Sequence, residues 1–205
     1  MPDSPSAGAA PRKRGPKPLL GEHPRDRIHD ATLACFERQG IRETSMDDVA
    51  RELGISRTAL YHYFATKEDL LLEVVARQAG LILADLPHRL TAVGLERVAE
   101  AVYLGVIGSL DNKYVKLMIE GAAAPLTGTV METSRILELQ RAFWIPLLTH
   151  ARERHGMRTD LPLEEIMDWV IFLQFSLAMA GPAFGMSRDQ MRERIYAHLI
   201  PDLRG

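Results

Sequence analysis

The chain has 205 residues, of which 46% are hydrophobic, so it can bury a substantial core and has room for a small domain beside a larger one. The formal net charge is only −2, and the bulk charge therefore gives no support to a nucleic-acid partner. The single cysteine, Cys35, excludes an internal disulfide and favours a reducing, cytoplasmic location.

Residues 1–24 contain half of the prolines and show no hydrophobic periodicity, which predicts a disordered arm. A basic cluster lies within it, and its residues Arg12 and Arg14 are typical of arms that lie in narrow, A·T-rich minor grooves. A solvated, solubilising tail is the alternative interpretation. A secretory signal is excluded, because no apolar run follows the basic cluster.

The first predicted helix covers residues 25–39 and ends at Gly40. Its apolar residues recur at helical spacing, and Cys35 is one of them. We therefore expect this thiol to lie in the core and not in a reactive site.

Two further helices are predicted in quick succession. The first of them begins after Ser45, whose spacing from Asp48 is typical of a capping box, and it ends at Gly54. Ser56 can cap the next helix at once. Because so few residues separate the two helices, they must cross steeply, as in a helix-turn-helix.

The second helix of this pair has a narrow apolar face made by Leu60 and Phe64. Its other positions carry guanidinium, hydroxyl and imidazole groups, at Arg57, Thr58, Tyr61, His62 and Tyr63. In an isolated helix, tyrosines of this kind are more often ordinary surface or core residues. Beside a preceding short helix, the pattern favours insertion into a DNA major groove, which is about 12 Å wide.

A fourth helix is predicted to begin at Thr66, which forms a second capping box with Asp69. Lys67 then lies in the first turn, where a cation is well placed for a DNA phosphate.

The order and spacing of these features resemble the DNA-binding domain of the TetR family of transcriptional regulators, over about residues 25–72. The matching motif is Ser45-Met46-x-x-Val49-Ala50-x-x-Leu53-Gly54-Ile55-Ser56, followed by Leu60-Tyr61-His62-Tyr63-Phe64-x-x-Lys67-x-x-Leu70. The resemblance implies an all-α fold with a three-helix helix-turn-helix DNA-binding domain over residues 25–72. It also implies a larger helical domain over residues 73–205, which dimerises and holds a small-molecule pocket.

The resemblance and the arm together give the predicted DNA-binding set, which is Arg12, Arg14, Thr44, Ser56, Arg57, Thr58, Ala59, Tyr61, His62, Tyr63 and Lys67. Arg57 is suited to guanine and the Thr58 methyl to thymine, while tyrosine hydroxyls and Lys67 suit phosphates. Family members often have glycine where Thr58 stands, so an operator sequence cannot be transferred from them.

The rest of the chain is predicted to be helical, over residues 66–86, 95–110, 116–120, 129–155 and from 187 to just before Pro201. Pro87 is expected to stop the first of these helices. Pro146 is expected to bend the fourth, and Gly156 to end it.

An effector pocket is predicted to use aromatic residues and methionines of this half, namely Tyr103, Met118, Met131, Phe143, Trp144, Phe172 and Phe175. Each of these alone is more often an ordinary core residue. Nine methionines and few charges near such a pocket favour a largely apolar effector.

Residues 169–186 are nearly all apolar, which predicts a helix buried on two sides, by its own domain and by a second copy. With the last helix it is expected to form a homodimer interface, using Trp169, Phe175, Met191, Ile195 and Leu199. A membrane anchor is the alternative, opposed by Gln174 and by the break at residues 181–182.

An enzyme is not expected, because no two histidines have metal-ligand spacing on a helix and no glycine-rich phosphate loop is present. We expect neither a metal nor a cofactor. The predicted function is a homodimeric repressor that binds double-stranded operator DNA and is released by a small effector. An activator of the same fold is the alternative.

Overall fold

The computed structural model describes residues 23–120 and 134–204, with the backbone alone for residues 117–120 and Ser134. These residues form nine α-helices and no strand, which confirms the predicted all-α class. The helices are α1 (Pro24–Gln39), α2 (Met46–Leu53), α3 (Arg57–Tyr61), α4 (Lys67–Arg89), α5 (Leu95–Asp111), α6 (Lys113–Glu120), α7 (Ser134–Arg154), α8 (Leu163–Ala180) and α9 (Arg188–Arg204).

The first three helices and the start of α4 enclose a small hydrophobic core. Ile28 and Cys35 of α1, Val49 of α2 and Leu60 of α3 are buried there, together with Leu70 of α4. Burial raises the pKa of the Cys35 thiol. The prediction that this cysteine lies in the core is confirmed.

Both predicted capping boxes are present. At the start of α2 the Asp48 N–H donates to the Ser45 hydroxyl at 3.2 Å, and the Ser45 N–H donates to the Asp48 carboxylate at 3.0 Å. Thr66 and Asp69 make the same pair of bonds at the start of α4. The hydrogen bonds that Asp48 accepts from the Ser45 hydroxyl and N–H lower its pKa to about 2.

Two helices continue through prolines at which the sequence predicts a stop. Helix α4 passes Pro87, and α9 passes Pro201. A proline removes one N–H from a helix, and contacts elsewhere in the fold can offset that loss. In α9 the last turn is held by buried Leu203, whose carbonyl accepts the Arg158 N–H at 2.8 Å.

The second core is larger and is organised around α5. This helix packs against α4, α8 and α9, and its residues Val98, Val102 and Val106 are fully buried. Trp144 of α7 and Val170 of α8 complete the same core. Within the described residues, no helix is both long and apolar enough to span a membrane.

A buried polar chain connects α1 to the junction between α5 and α6. The Asn112 side-chain N–H donates to Gln78 Oε1 at 2.9 Å, and Gln78 Nε2 lies 3.1 Å from Nε2 of His29. Burial lowers the pKa of His29, which favours the neutral ring that accepts this bond. Next to the junction, the Tyr114 hydroxyl donates to Glu37 of α1 at 2.6 Å.

Candidate nucleic-acid interface and apolar cavity

Helix α3 is held by one edge and exposes the other. Gly54 ends α2 with φ at 69°, and two residues later the Ser56 hydroxyl accepts the Ala59 N–H at 3.1 Å. Leu60 and Phe64 are buried in the small core. The exposed edge consists of Arg57, Thr58, Tyr61 and His62.

The regular part of α3 is shorter than the polar pattern predicts. It ends at Tyr61, and His62 and Tyr63 lie in the turn that follows. The Tyr63 N–H donates to the Leu60 carbonyl at 2.9 Å, which tightens this turn. Tyr63 packs partly on the small core, whereas His62 is exposed.

Arg57 is held in place by α2 and by its own helix. Its guanidinium donates to the Asp47 carboxylate at 3.0 Å and to the Tyr61 hydroxyl at 3.2 Å, and it lies 5.3 Å from the centre of the Tyr61 ring. All three side chains are at least partly exposed, so this ion pair is accessible to DNA.

Lys67 and Thr44 bond to the loop between α1 and α2. The Lys67 ammonium donates to the carbonyls of Ile41 at 2.8 Å and Arg42 at 3.1 Å. Thr44 is 3% exposed, and its hydroxyl donates to the Gly40 carbonyl at 2.7 Å. The Thr44 side chain, predicted to contact DNA, is therefore enclosed within the domain.

A cavity of about 130 Å³ lies among α4, α5, α6, α7 and α8. Its walls are mainly apolar, with Val75, Ile82, Leu83, Ile136, Ile171 and Phe175 among the lining residues. The polar lining residues are Ser109, Gln140 and Gln174. No charged side chain of the described residues lines it.

The polar side chains of the cavity differ in whether they are already bonded. The Ser109 hydroxyl donates to the Gly105 carbonyl at 2.9 Å, and Gln140 Oε1 accepts the Trp144 indole N–H at 2.9 Å. Gln174 Oε1 is buried and has no hydrogen-bond partner among the described residues. The Gln174 amide lies close to α5, so that a Cβ added at Gly105 would come within 2.6 Å of Oε1.

Residues 28–74 match the sequence model of the family described as bacterial regulatory proteins, tetR family. The uncharacterized HTH-type transcriptional regulator TtgW of Pseudomonas putida is 35% identical over 97 residues, which cover 47% of this chain and 69% of TtgW. The chain belongs to the TetR family. This family consists of transcriptional regulators, as the sequence predicts.

Two further proteins illustrate what the chain is similar to. The HTH-type transcriptional regulator SrpR of Pseudomonas putida is 35% identical over 100 residues, or 48% of this chain and 45% of SrpR. The chain thus spans about half the length of that relative. Thermus thermophilus FadR, a TetR-family repressor solved in complex with lauroyl-CoA, superposes with a TM-score of 0.64 at 20% identity. The superposition covers 86% of this chain and 93% of FadR, and it shows the shared fold.

The cavity of this TetR-family chain differs from the predicted pocket. Of the predicted lining residues that the structure describes, Phe175 alone lines the cavity. Trp144 is fully buried in the core, Tyr103 packs against that core, Phe143 faces a groove beside Pro146, and Phe172 is exposed on α8. The type of a residue shows that its position is apolar. Which apolar residues face the cavity is decided by how the helices pack. Arg12, Arg14, Met131 and the side chain of Met118 lie outside the described residues.

Of the predicted dimer residues, Phe175 lines the cavity, and the other four separate into two groups. Met191, Ile195 and Leu199 of α9 are each 1% exposed, because the apolar stripe of α9 packs on α5 of the same chain. Trp169 of α8 is 47% exposed and stacks on Phe172, which is 59% exposed. The aromatic pair Trp169 and Phe172, and not the α9 stripe, is therefore available to a second copy.

Sequence reasoning missed the significance of two residues. Asp47 pairs with Arg57 only because α2 and α3 cross, and a separation of ten residues in sequence gives no periodic signal. Gln174 stands out as a polar residue in an apolar run, but its unbonded oxygen becomes visible only when α5 and α8 are packed together.

Proposed function

We propose that the chain is a homodimeric transcriptional repressor that binds operator DNA through α3 and is released by a small, largely apolar effector. The exposed edge of α3, anchored on the small core by Leu60 and Phe64, is the observation that carries this proposal. The small core of α1–α3 and the larger core around α5 support a DNA-binding domain over residues 25–72 and a regulatory domain over residues 73–205. Helix α4 connects them, because Leu70 lies in the small core and the helix also packs against α5 and α7.

On this proposal, different side chains of the interface recognise different parts of DNA. Arg57, Thr58 and His62 face the base edges, while the Tyr61 and Tyr63 hydroxyls and Lys67 bind phosphates. Ser56 and Ala59 form the first turn of α3, and the backbone there can approach the DNA closely. The enclosed hydroxyl of Thr44 has no direct part in this arrangement.

We assign dimerisation to the outer face of α8. Exposed, stacked aromatic side chains such as Trp169 and Phe172 are enriched at protein interfaces. A dimer places two copies of α3 on one duplex, and the doubled contact supplies affinity that a domain without net positive charge lacks. FadR, which shares the fold, is a repressor in a complex with an acyl-CoA, which supports effector release as the mode of control.

The test is binding of the purified protein to DNA from its own upstream region, measured by fluorescence anisotropy against a shuffled fragment. We expect a preference of at least about a thousandfold, and affinity that falls steeply with salt. Sedimentation should show a dimer. Trp169→Asp should give a folded monomer that has lost operator binding.

Val93→Asp is the matched control, since Val93 is also an exposed apolar residue but lies between α4 and α5. It should leave both dimerisation and DNA binding unchanged. A monomeric unmodified protein, or equal affinity for both DNA fragments, would contradict the proposal.

A further inference from the structure

We propose that the cavity selects an uncharged, mainly hydrocarbon ligand with one hydroxyl group, whose hydrogen bond is accepted by Gln174. This inference rests on the proposed function, because it treats the cavity as the effector site. The lining, the bonding state of its polar groups and the cavity volume each narrow the class of ligand.

The lining disfavours a charged group inside the cavity. Among the described residues it contains hydroxyl and amide side chains but no acid or base. A carboxylate or phosphate moved there from water would lose its hydration without gaining a counter-charge from the described lining. The described lining therefore favours an uncharged group over an ionised fatty acid or a coenzyme A phosphate as the buried part of the ligand.

The bonding state of the polar groups indicates where the ligand is recognised. Ser109 and Gln140 already use their polar atoms within the chain. Gln174 Oε1 is the atom left without a partner in the described part of the chain, although it is buried. An unsatisfied buried acceptor is destabilising, and a hydrogen-bond donor on the ligand would recover that loss.

Gly105 lets the amide of Gln174 lie against α5. Any larger residue at position 105 would place its Cβ in a clash with the amide, at 2.6 Å from Oε1. Helix α5 offers this oxygen no donor, since the backbone N–H groups of its interior are bonded within the helix. Rotation of the terminal amide torsion is soft, so the oxygen can turn towards a hydroxyl in the cavity while the N–H₂ group turns towards α5, whose carbonyls can accept a second hydrogen bond.

The volume limits the buried part of the ligand to a single ring or a short chain. The cavity measures about 130 Å³, and an engineered apolar cavity of about 150 Å³ holds one benzene molecule. Phenol, toluene and benzoate are therefore suitable probes, because each is one ring with a single substituent. They present a hydroxyl donor, a methyl group and a charge, respectively.

The test is calorimetric titration of the full chain with each of the three probes. Phenol should bind roughly five- to tenfold more tightly than toluene, as expected for one added hydrogen bond to a buried acceptor, and benzoate should not bind. Gln174→Leu should abolish the preference for phenol while toluene still binds.

Thr149→Val is the control, because this hydroxyl of α7 is bonded to the Ile145 carbonyl at 2.8 Å within its own helix and Thr149 is not among the residues that line the cavity. This variant should keep the preference for phenol. If Gln174→Leu does not fold, as judged by circular dichroism, Gln174→Met is used in its place, because it also removes the acceptor and has a more flexible side chain.

Three results would overturn the inference: equal binding of phenol and toluene, a phenol preference that survives removal of Gln174, or no binding of any probe. Operator binding without a probe separates this inference from the proposed function. A chain that binds its operator but shows no Gln174-dependent preference contradicts the ligand class alone. A chain with that preference but no operator binding contradicts the proposed function.

Discussion

The exposed edge of α3 and the apolar cavity differ in how far their polar groups are bonded within the chain. On the exposed edge, Arg57 is paired with Asp47, and nearby Lys67 is bonded to two loop carbonyls. In the cavity, the buried Gln174 oxygen has no partner among the described residues. The two cations beside α3 are thus bonded within the chain, whereas one buried acceptor of the cavity has no partner among the described residues.

The difference follows from the solvent that surrounds each region. An exposed ion pair contributes about 0–1 kcal/mol, so it can be exchanged for a contact with DNA at little loss. An unpaired buried acceptor is destabilising, and the bonding state of this oxygen therefore depends on what occupies the cavity. The Arg57–Asp47 pair at the edge of α3 can therefore be exchanged for other contacts, whereas the cavity is suited to a ligand that donates a hydrogen bond to Gln174.

The largest effect is expected from removing Arg57 at the exposed edge of α3, and it is on the discrimination between operator bases. Arg57→Ala should reduce the preference for the operator over single-base variants by about 1–3 kcal/mol at the contacted position, because a bidentate guanine contact is lost. Anisotropy titrations against a panel of mutated operators measure it.

Asp47→Asn is the control for this change, because it retains Arg57 but removes the charge that holds it. It should keep the operator preference and strengthen binding to all DNA, since one negative charge is removed. Unchanged discrimination after Arg57→Ala would refute the role of Arg57 as a base reader.

A smaller effect is expected at Lys67. Lys67→Ala should weaken binding to operator and shuffled DNA alike by about 1 kcal/mol, as for one lost hydrogen bond. It should also lower the free energy of unfolding, because the carbonyls of Ile41 and Arg42 lose their donor. Titration and urea unfolding measure the two effects.

Arg89→Ala is the control for Lys67→Ala. It removes an exposed cation at the far end of α4, where Arg89 pairs with Asp85 one turn away. It should change neither DNA affinity nor the free energy of unfolding. A loss confined to the operator would show that Lys67 reads bases and does not bind phosphate.

The smallest effect is a pH dependence of stability at the start of α2. The pKa of Asp48 is about 2 in the folded chain, below the ordinary value of 3.8. A lowered carboxyl pKa stabilises the fold above about pH 4 and ceases to do so as the pH falls through about 2. Asp48→Asn should therefore be less stable than the unmodified protein at neutral pH, with a difference that shrinks as the medium is acidified. Thermal unfolding between pH 7 and 2 measures it, and a constant difference would contradict the prediction.

The features that could be predicted from sequence are those set by residues close together in the chain. The caps at Ser45 and Thr66, the core position of Cys35 and the two anchors of α3 all depend on spacings of a few residues. These local signals are sufficient to identify the helix-turn-helix and, with it, the family.

The features that sequence misses depend on which surface each helix presents to the others. The apolar stripe of α9 predicts a dimer contact, yet Leu199 packs on the same chain. An apolar stripe has the same residue pattern whether its partner is another helix of the same chain or a second copy. Pro201 does not end α9, since a tertiary bond from Arg158 holds the last turn. Phe172 and Trp144 differ completely in exposure although their residue types look equally suited to a pocket.

The polar chain from His29 through Gln78 to Asn112 connects α1 with the junction between α5 and α6, beside the cavity. Asn112 also accepts the N–H groups of Tyr114 and Val115, and Val115 lines the cavity. On the proposed function, a shift of this junction that accommodates an effector would either move α1 with it or break one of these hydrogen bonds. Coupling of this kind is reciprocal: the factor by which an effector weakens operator binding is also the factor by which the operator weakens effector binding. An effector affinity measured on the free protein would therefore exceed the affinity of the same protein bound to its operator.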